Sequence, residues 1–403
     1  MIRTYTYKLY KNKKVEYKFN KWLNTTRYVY NLAKETKEVA YQCGISLSCY
    51  DLQKQLTECK KEFSWLKDIH SQTLYDVIER LDISFKNYFR NLKNGNIRKE
   101  KSAYLNTVKS VNYDKYINIG KPKWAKKKDW KSFGFKQGGL INKRPELRFE
   151  KDGVFNLPKF GKVKVFNYRH IEERSIKTAR LVKKADGIYL NVVAEVPDKT
   201  YCTNESQVGI DMGIKYFCAT SDGEYIDNPR FLEKQTKKLR VEQRKLSRQN
   251  KFSKRWYKQV NVITRLHKKV VDARKDFLHK QSTHFANNYS DIVIEDLQIT
   301  KMVKGRFSKQ ISDISWGAFF VLLKYKANNL VRVNPAYTSQ ECSKCGHTSK
   351  ENRVTQSIFK CVSCGHESNA DLDAAKVILG RAFPNSHERS TVVQALAVES
   401  NVV

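Results

Sequence analysis

The sequence predicts a multidomain α/β protein: an N-terminal β-barrel with an inserted helical lobe, followed by a second α/β domain that carries an inserted zinc ribbon. Three observations support this prediction. Strand-like alternation at the N-terminus gives way to long helical periodicity, buried strands alternate with helices after residue 200, and two Cys-x-x-Cys pairs precede the last helical pattern. A chain of 403 residues is long enough to form two or three domains.

The first domain begins with a strand. Residues 2–10 alternate apolar and polar side chains, as a half-buried strand does. Two helical stripes follow, at 19–33 and 74–89, and both predict core packing of a helical bundle. Strand patterns return over 154–193, where the Asp186-Gly187 pair predicts a hairpin turn. A barrel interrupted by helices after its first strand accounts for the first half of the chain.

Charge is the strongest bulk property of the chain. Lys and Arg number 77 against 41 Asp and Glu, which gives a net charge of +36 and a pI of about 9.7. Such an excess favours a polyanionic partner, because bound phosphates release condensed counterions; a merely solvated basic surface is the alternative. Aromatic residues lie among the lysines between Lys93 and Lys136, including Trp124 and Trp130. This mixture suits stacking on unpaired bases, unless the rings belong to the core.

No part of the sequence is typical of a secreted or membrane-spanning protein. The N-terminus is charged and aromatic, and the longest apolar run, at 317–323, is far too short to cross a bilayer. We therefore predict a soluble protein of a reducing compartment, without a membrane partner.

The second domain begins with a strand that contains a carboxylate. Asp211 lies within the apolar run 208–213, where a buried charge needs an ion pair or a metal. The turn at Asp222-Gly223 then predicts a β-meander. Further on, the run 292–294 is apolar on both faces, as expected of a buried parallel strand, and Glu295 follows at its carboxyl end, where α/β sheets bind ligands. A capping role is the alternative for such an acid.

Four cysteines form the most specific motif in the chain. Cys342 and Cys345 are separated by fifteen residues from Cys361 and Cys364, and each pair is followed by Gly-His. This spacing matches a structural zinc site with four thiolate ligands. Disulfides and an iron–sulfur cluster are the alternatives, but a reducing compartment argues against the first and the spacing against the second. A closed site of this kind stabilises a loop and carries out no reaction.

Asp371 begins a pattern that predicts a helix. Positions 371, 374, 375 and 378 share one face, and the small Ala374 and Ala375 allow that face to lie close to a sheet. Asp373 is about 200° further around the helix, so we expect it to point elsewhere. The geometry therefore selects Asp371 as the inward carboxylate.

Three carboxylates thus stand on separate elements: Asp211, Glu295 and Asp371. This is the layout of an RNase H-like nuclease, in which carboxylates hold two Mg²⁺ ions about 4 Å apart for hydrolysis of a phosphodiester. Carboxylate oxygens suit Mg²⁺, with Mn²⁺ as a substitute. Three unrelated surface or capping acids are the alternative, which the strand contexts and the adjoining zinc motif disfavour.

Several motifs of the sequence resemble one known family. The segments GIDMGIKYFCATSDG, IVIEDL, NPAYTSQECSKCGH and CVSCGH with NADLDAA are similar to the RuvC-I, RuvC-II, zinc-ribbon and RuvC-III motifs of TnpB, the OrfB protein of bacterial and archaeal insertion sequences. TnpB is also related to the type V CRISPR nucleases. The basic N-terminus, with TTRYVYN and RLDISFKNYF, is similar to the same family, so the resemblance covers nearly the whole chain.

The resemblance implies an RNA-guided DNA endonuclease in which Asp211, Glu295 and Asp371 are the catalytic, Mg²⁺-binding residues. A guide RNA encoded by the transposon supplies sequence specificity, and the protein reads a short motif in the double-stranded target DNA. The resemblance also implies one structural Zn²⁺, a prokaryotic cytoplasmic location near the nucleoid, and a monomer as the favoured oligomeric state.

The resemblance further implies a division of the chain into seven segments. They are a first wedge strand at 1–14, a helical recognition lobe at 15–118, the rest of the wedge barrel at 119–200, a RuvC nuclease domain at 201–333, a zinc ribbon that binds target nucleic acid at 334–368, the RuvC-III helix at 369–380, and a flexible tail at 381–403. Two departures from the family pattern are visible. Asp373 stands where the family usually has Asn, which places an additional charge near the metals, and the link before Val331 is shorter than usual.

Two other functions stay open. A nuclease-inactive, RNA-guided DNA-binding protein is disfavoured because all three acids are retained. A DNA-joining transposase on the same fold is the other alternative, and joined products in a strand-transfer assay would distinguish it from a nuclease.

Overall fold

A computed structural model describes residues 1–93, 121–138, 140–141, 144–166, 168–169, 171–197, 205–305 and 307–384. The chain divides into two compact units, Met1–Asp198 and Lys199–Val403. Each unit contains its own helices, sheets and hydrophobic core.

Helices and strands alternate in blocks in the first unit. The helices are α1 (Lys13–Gln42), α2 (Cys49–Glu62), α3 (Ser64–Lys67) and α4 (Ser71–Lys93). The strands are β1 (Ile2–Lys8), β2 (Ser132–Lys136), β3 (Leu140–Ile141), β4 (Arg144–Pro145), β5 (Arg148–Phe149), β6 (Val154–Leu157), β7 (Gly161–Lys164), β8 (Ile176–Lys184) and β9 (Gly187–Glu195). All four helices of the described residues therefore follow the first strand and precede the second, as the helical periodicity predicts.

Local signals in the sequence begin the first two helices. The side chain of Asn12 accepts hydrogen bonds from the backbone N–H groups of Lys14 and Val15, which caps the free N-terminus of α1. Ser48 and Asp51 form a reciprocal capping box at the start of α2. These caps fix where each helix begins.

Four antiparallel strands form the main sheet of the first unit, in the order β1-β9-β8-β2. Helices α1 and α4 pack against this sheet, and α1 does so through aromatic side chains. The ring centroid of Phe19 on α1 lies 5.2 Å from that of Phe133 on β2, and Trp22 lies 5.9 Å from Phe135. All four rings are almost fully buried, so one core joins the helices to the sheet.

The predicted N-terminal barrel is not confirmed. Strands β5, β6 and β7 pair with one another in a separate sheet, β3 pairs with β4, and a single bridge joins Leu9 to Val165. The strands of the described residues therefore do not close into a ring. The physical reason is that α1 and α4 already cover the main sheet, which can bury that face without closing on itself.

Two predicted features fall outside the described residues. Most of the Lys-rich segment between Lys93 and Lys136 lies at 94–120, and most of the predicted tail lies at 385–403. Within the part of the chain that the structure describes, no helix combines the length and the apolarity needed to cross a membrane.

The second unit is built around a mixed sheet. Its strands are β10 (Gln207–Met212), β11 (Tyr216–Thr220), β12 (Tyr225–Asp227), β13 (Asp291–Glu295), β14 (Asn329–Val333), β15 (Ile358–Lys360) and β16 (Glu367–Asn369). Its helices are α5 (Phe231–Ser247), α6 (Lys254–Asn288), α7 (Ile299–Met302), α8 (Ser308–Ile314), α9 (Trp316–Lys326) and α10 (Ala370–Ala382). Five of these strands form the sheet, in the order β12-β11-β10-β13-β14.

The sheet combines an antiparallel meander with parallel strands. Strands β10, β11 and β12 run antiparallel, as the predicted turn at Asp222-Gly223 requires. Strand β13 is parallel to β10 and buried, as its apolar run predicts. Strand β14 follows the short link and pairs parallel with β13.

The two faces of this sheet are covered by different helices. Ile210 and Ile294 face a core shared with α6 and α9, which contribute Phe285 and Phe319. Because side chains alternate along a strand, neighbouring positions such as Val293 face the other way, where they meet Ile378 of α10. The second face is therefore the one on which α10 lies.

Helix α10 lies very close to β10 because both elements have small residues at the contact. A Cβ atom at Gly209 would lie 2.2 Å from the carbonyl oxygen of Ala375 and 2.8 Å from the backbone nitrogen of Leu379. Ala374 and Ala375 are both buried. The close packing that these alanines predict is therefore present, and Gly209 is the residue of β10 that permits it.

Candidate metal centres

Asp211 and Glu295 lie at matching positions on two adjacent parallel strands. Ile210 of β10 is paired with Ile294 of β13, so the two acids follow level with each other and point to the same face of the sheet. Neighbouring strands are about 5 Å apart, which brings the two carboxylates within electrostatic reach. Both lie on the face that α10 covers.

Asp371 reaches the same region from the first turn of α10. The side chain of Asn369 caps this helix by accepting a hydrogen bond of 3.0 Å from the backbone N–H of Asp371. The carboxylate of Asp371 contributes to raising the pKa of Asp211, so the two groups are near enough to repel each other. The structure thus brings together all three acids that the sequence singled out.

The environment of Asp211 and Glu295 disfavours their negative charge. Loss of hydration, followed by repulsion from Glu295 and Asp371, raises the pKa of Asp211 to about 7. Burial also raises the pKa of Glu295, although a 2.5 Å hydrogen bond from Thr338 Oγ1 and the nearby charge of Arg381 oppose that shift. Poorly hydrated carboxylates that repel one another are stabilised by a divalent cation, so this donor set fits Mg²⁺ or Mn²⁺.

Asp211, Glu295 and Asp371 do not form a group whose donor atoms all lie within 4.8 Å of one another. Within the described ranges, the four cysteines are the only group of three or more potential ligands with donor atoms all within 4.8 Å of one another. Arg353 lies beside the acids: its Nη2 is 3.7 Å from Asp371 Oδ1, and its charge lowers the pKa of Asp211.

The four predicted cysteine ligands form a compact cluster. The Sγ atoms of Cys342 and Cys364 are 3.7 Å apart, and those of Cys345 and Cys361 are 3.6 Å apart. A tetrahedral zinc site with Zn–S bonds of about 2.3 Å has sulfur atoms about 3.8 Å apart. The cluster therefore fits one structural Zn²⁺, as the spacing of the motif predicts.

Backbone geometry around the cysteines favours bound thiolates. Gly346 and Gly365 turn the two knuckles with φ of 74° and 69°, a region that suits glycine. A backbone hydrogen bond from Cys364 is the main cause that lowers the pKa of the Cys361 thiol to about 6. Burial raises the pKa of Cys342 to about 12, so a bound cation is needed to keep this sulfur deprotonated at neutral pH.

Asp373 joins α10 to the cysteine ribbon. It is only 1% exposed, and it accepts hydrogen bonds from Ser343 Oγ at 2.5 Å and from the Ser343 backbone N–H at 3.3 Å. His366 Nε2 lies 3.2 Å from the same carboxylate. The prediction that Asp373 points away from Asp371 is confirmed. Its charge faces the two cysteine knuckles. The comparison with the family pattern had instead placed this charge near the metal ions of the three acids.

Sequence reasoning missed three polar residues beside the acids: Thr338, Arg353 and Arg381. Arg381 donates to Asn334 O at 2.6 Å and to Glu341 at 3.0 Å, which anchors the end of α10. Helical periodicity could have placed Arg381 on the inward face, because it lies three residues after Ile378. Thr338 and Arg353 come from irregular segments, for which periodicity gives no orientation.

Replacing Asp211 by Asn should stabilise the protein without added Mg²⁺, and more so at pH 8 than at pH 5. Asp211 has a pKa of about 7 when folded, against about 4 when unfolded. Between these values the folded chain binds more protons, so its stability falls as pH rises from about 4 to about 7. We expect a gain on the order of 2 kcal/mol at pH 8, measured by denaturant unfolding. An equal gain at both pH values would contradict the assigned ionisation.

Together these features define a class: an α/β protein whose mixed sheet carries a cluster of carboxylates, with a four-cysteine ribbon inserted beside it. The chain belongs to the TnpB (OrfB) family of insertion-sequence proteins. A family model described as "Probable transposase" matches residues 191–306, and one described as "Cas12f1-like, TNB domain" matches 316–378. A third, described as "Helix-turn-helix domain", matches 1–46, where the structure has one strand and the long helix α1.

Relatives match over nearly the whole chain. The chain is 30% identical to "Putative RNA-guided DNA endonuclease InsQ" of Escherichia coli strain K12, over 94% of this chain and 92% of the relative. It is 25% identical to "Putative RNA-guided DNA endonuclease" of Streptomyces pristinaespiralis, over 95% of this chain and 90% of the relative. It is also 33% identical to the CRISPR-associated endodeoxyribonuclease Cas12f1 of Sulfoacidibacillus thermotolerans, over 32% of this chain and 31% of that protein.

Proposed function

We propose that the protein is an RNA-guided DNA endonuclease of a transposable element, which cuts target DNA beside a short motif. The observation that carries this proposal is the convergence of Asp211, Glu295 and Asp371 on one face of a mixed sheet. The full-length relatives named as RNA-guided DNA endonucleases support the same function.

In this proposal the second unit is an RNase H-like RuvC domain, and its three acids hold Mg²⁺ or Mn²⁺. Asp211, Glu295 and Asp371 would hold these ions, which would supply activation of a water molecule and compensation of the charge that develops on the phosphodiester. The parallel strands β10 and β13 hold Asp211 and Glu295 level with each other. Thr338 fixes the rotation of the Glu295 carboxylate by donating a hydrogen bond to one of its oxygens. Contact between α10 and Gly209 sets the height of Asp371 above the sheet.

The ribbon has a structural role in this proposal. Cys342, Cys345, Cys361 and Cys364 hold one Zn²⁺ in a closed four-thiolate site that takes no part in the reaction. Asp373 connects this site to the helix that carries Asp371. We propose that the ribbon contacts target nucleic acid while supporting the position of that helix.

The partners in this proposal are a guide RNA and double-stranded target DNA. A net charge of +36 suits binding of two polyanions, and base pairing by the RNA would supply sequence specificity. The helices and sheets of the first unit would form the recognition lobe and the wedge. We further propose that one copy of the protein acts with each RNA, in the cytoplasm of a prokaryotic cell near the nucleoid.

A DNA-joining transposase on the same fold is the second candidate. It is favoured by the description "Probable transposase" of the family model that matches residues 191–306. The two reactions leave different products, because hydrolysis leaves linear breaks whereas transfer joins a DNA end to a new strand. A strand-transfer assay with a labelled DNA end therefore separates them.

The RNA bound by the purified protein provides the most direct test. We expect a reproducible RNA with a constant scaffold and a variable end to co-purify, because a guide must combine a shared fold with a changing target sequence. Extraction and sequencing of that RNA provide the measurement, with purification from cells that lack the element's own RNA as the control. Random cellular RNA in place of a defined species would count against the guide function.

A further inference from the structure

A lysine-rich segment of the first unit is fixed against α1 through contacts that the proposed cutting reaction does not use. Residues 121–131, which we call the lysine segment, run along α1 in extended and turn conformation. The backbone N–H of Ala125 donates to Asn31 Oδ1 at 2.8 Å, and Asn31 Nδ2 donates back to Ala125 O at 3.3 Å. The indole N–H of Trp130 donates to Thr26 Oγ1 at 3.1 Å. The segment is therefore held at both its centre and its end.

The two tryptophans of the lysine segment have different surroundings. Trp130 is buried against Tyr30, with ring centroids 5.0 Å apart, and belongs to the core. Trp124 is 49% exposed. The Nζ atom of Lys34 lies 4.3 Å from the centroid of the Trp124 ring, and Lys34 is itself only 3% exposed and paired with Glu38. A fixed cation thus lies beside a ring that is about half exposed to solvent.

Two cavities adjoin the exposed ring. One has a volume of about 530 Å³ and includes Tyr30 and Trp130 in its wall, and the other has a volume of about 400 Å³ and includes Lys34. Both are also lined by Trp124, Lys123 and Lys126. Their volumes lie in the range of known sites for small molecules, so either is large enough for a single base or nucleotide.

The charges around Trp124 suit a phosphate chain. Lys123, Lys126, Lys127 and Lys128 are exposed, and none of them forms an ion pair with another described residue. Two acids line the cavities: Glu38 is already paired with Lys34 and Lys121, and the exposed Asp129 is outnumbered by the four exposed lysines. Unpaired lysines beside an exposed aromatic ring are the combination that single-stranded nucleic acids bind, through phosphate contacts and base stacking.

We propose that Trp124 is a stacking platform for one unpaired base of the RNA that the protein binds, with the exposed lysines on the adjoining phosphates. This inference rests on the proposed function and names a binding site within it. RNA is the favoured occupant because its loops and ends present unpaired bases before any target is met, whereas bases of duplex DNA are paired and stacked.

Replacement of Trp124 by Ala tests the platform. We expect RNA affinity to fall about tenfold, because stacking is lost, whereas Trp124→Phe should stay within about threefold of the original protein because it keeps an aromatic face. The measurement is fluorescence anisotropy with the labelled co-purified RNA. Trp65→Ala is the matched control, since Trp65 is also exposed, at 40%, but lies outside both cavities. Thermal unfolding of each variant checks that the fold is retained.

Salt dependence separates stacking from charge. Trp124→Ala should lower affinity at every salt concentration without changing the slope of log affinity against log salt, because no phosphate contact is removed. The double variant Lys126→Ala, Lys127→Ala should reduce the slope by about two, one for each lost contact. A reduced slope for Trp124→Ala, or an unchanged slope for the lysine variant, would overturn the assigned roles.

The outcomes also distinguish this inference from the proposed function. Unchanged RNA affinity of Trp124→Ala, in a protein that still carries a defined RNA and cuts DNA, would overturn the platform and leave the nuclease function standing. Unchanged RNA affinity with weaker binding of single-stranded DNA by the RNA complex would overturn the assignment to RNA. Failure of the original protein to bind a defined RNA would instead reject the guide function itself.

Discussion

Replacing Asp211 by Ala should abolish DNA cleavage, with the rate falling by at least about a hundredfold, while RNA binding remains intact. Asp211 is the central acid of the cluster, because both Glu295 and Asp371 raise its pKa through charge repulsion. Its loss removes a ligand from the proposed metal site and leaves the lysine segment and its contacts unchanged. The measurement is cleavage of a labelled duplex by the protein–RNA complex in Mg²⁺, beside RNA affinity from anisotropy.

Asp296 provides a matched control for this experiment. It follows Glu295 directly, but its side chain is 61% exposed and pairs with Arg332 at 3.0 Å, away from the other acids. Asp296→Ala should therefore cut DNA within about twofold of the original rate, since an exposed ion pair contributes little. Undiminished cutting by Asp211→Ala would remove Asp211 from the catalytic site.

Replacing Cys342 by Ser should release zinc and unfold the ribbon. Cys342 is 1% exposed and packs with Phe359, Cys361 and Ala370, so the small core of the ribbon depends on the cysteine cluster. Structural zinc sites contribute on the order of 10 kcal/mol to folding in small domains, and a hydroxyl is a poor substitute for a thiolate ligand. We expect elemental analysis to show about one zinc per chain in the original protein and almost none in the variant.

Cutting should fall together with zinc, although no cysteine belongs to the catalytic group. Asp373 links α10 to Ser343, which follows Cys342, so loss of the ribbon removes a support of the helix that carries Asp371. Cys43→Ser is the matched control, because Cys43 is an exposed free cysteine of the first unit. Full zinc content in Cys342→Ser would contradict the assigned ligand set, as would zinc loss from Cys43→Ser.

The sequence predicts the positions of the three acids because each lies in a pattern with one stable arrangement. The run at 292–294 is apolar on both faces, so burial between helices follows, and Glu295 must come at its carboxyl end. The alanines beside Asp371 determine the inward face of α10 in the same way. Cysteine spacing predicts the metal cluster because tetrahedral geometry restricts the length of each knuckle.

Interactions between distant segments could not be predicted in this way. Alternating strands indicate which side chains are buried but not which strands pair, so the open sheets of the first unit were expected to form a barrel. The hydrogen bonds of Thr338 with Glu295 and of Ser343 with Asp373 depend on the paths that irregular loops take in space. The periodicity of the sequence carries no information about the path of a loop.

Because Gly209 has no side chain, this position determines how closely α10 approaches β10. Any side chain there would meet the backbone of α10 at 2.2 Å, so the helix would have to lift or slide. Because α10 carries Asp371 and β10 carries Asp211, such a shift would change the distance between two acids without altering either of them. Gly209 therefore constrains the geometry of the acidic cluster although it has no functional group. Substitution at Gly209 is a way to change the spacing of the acids.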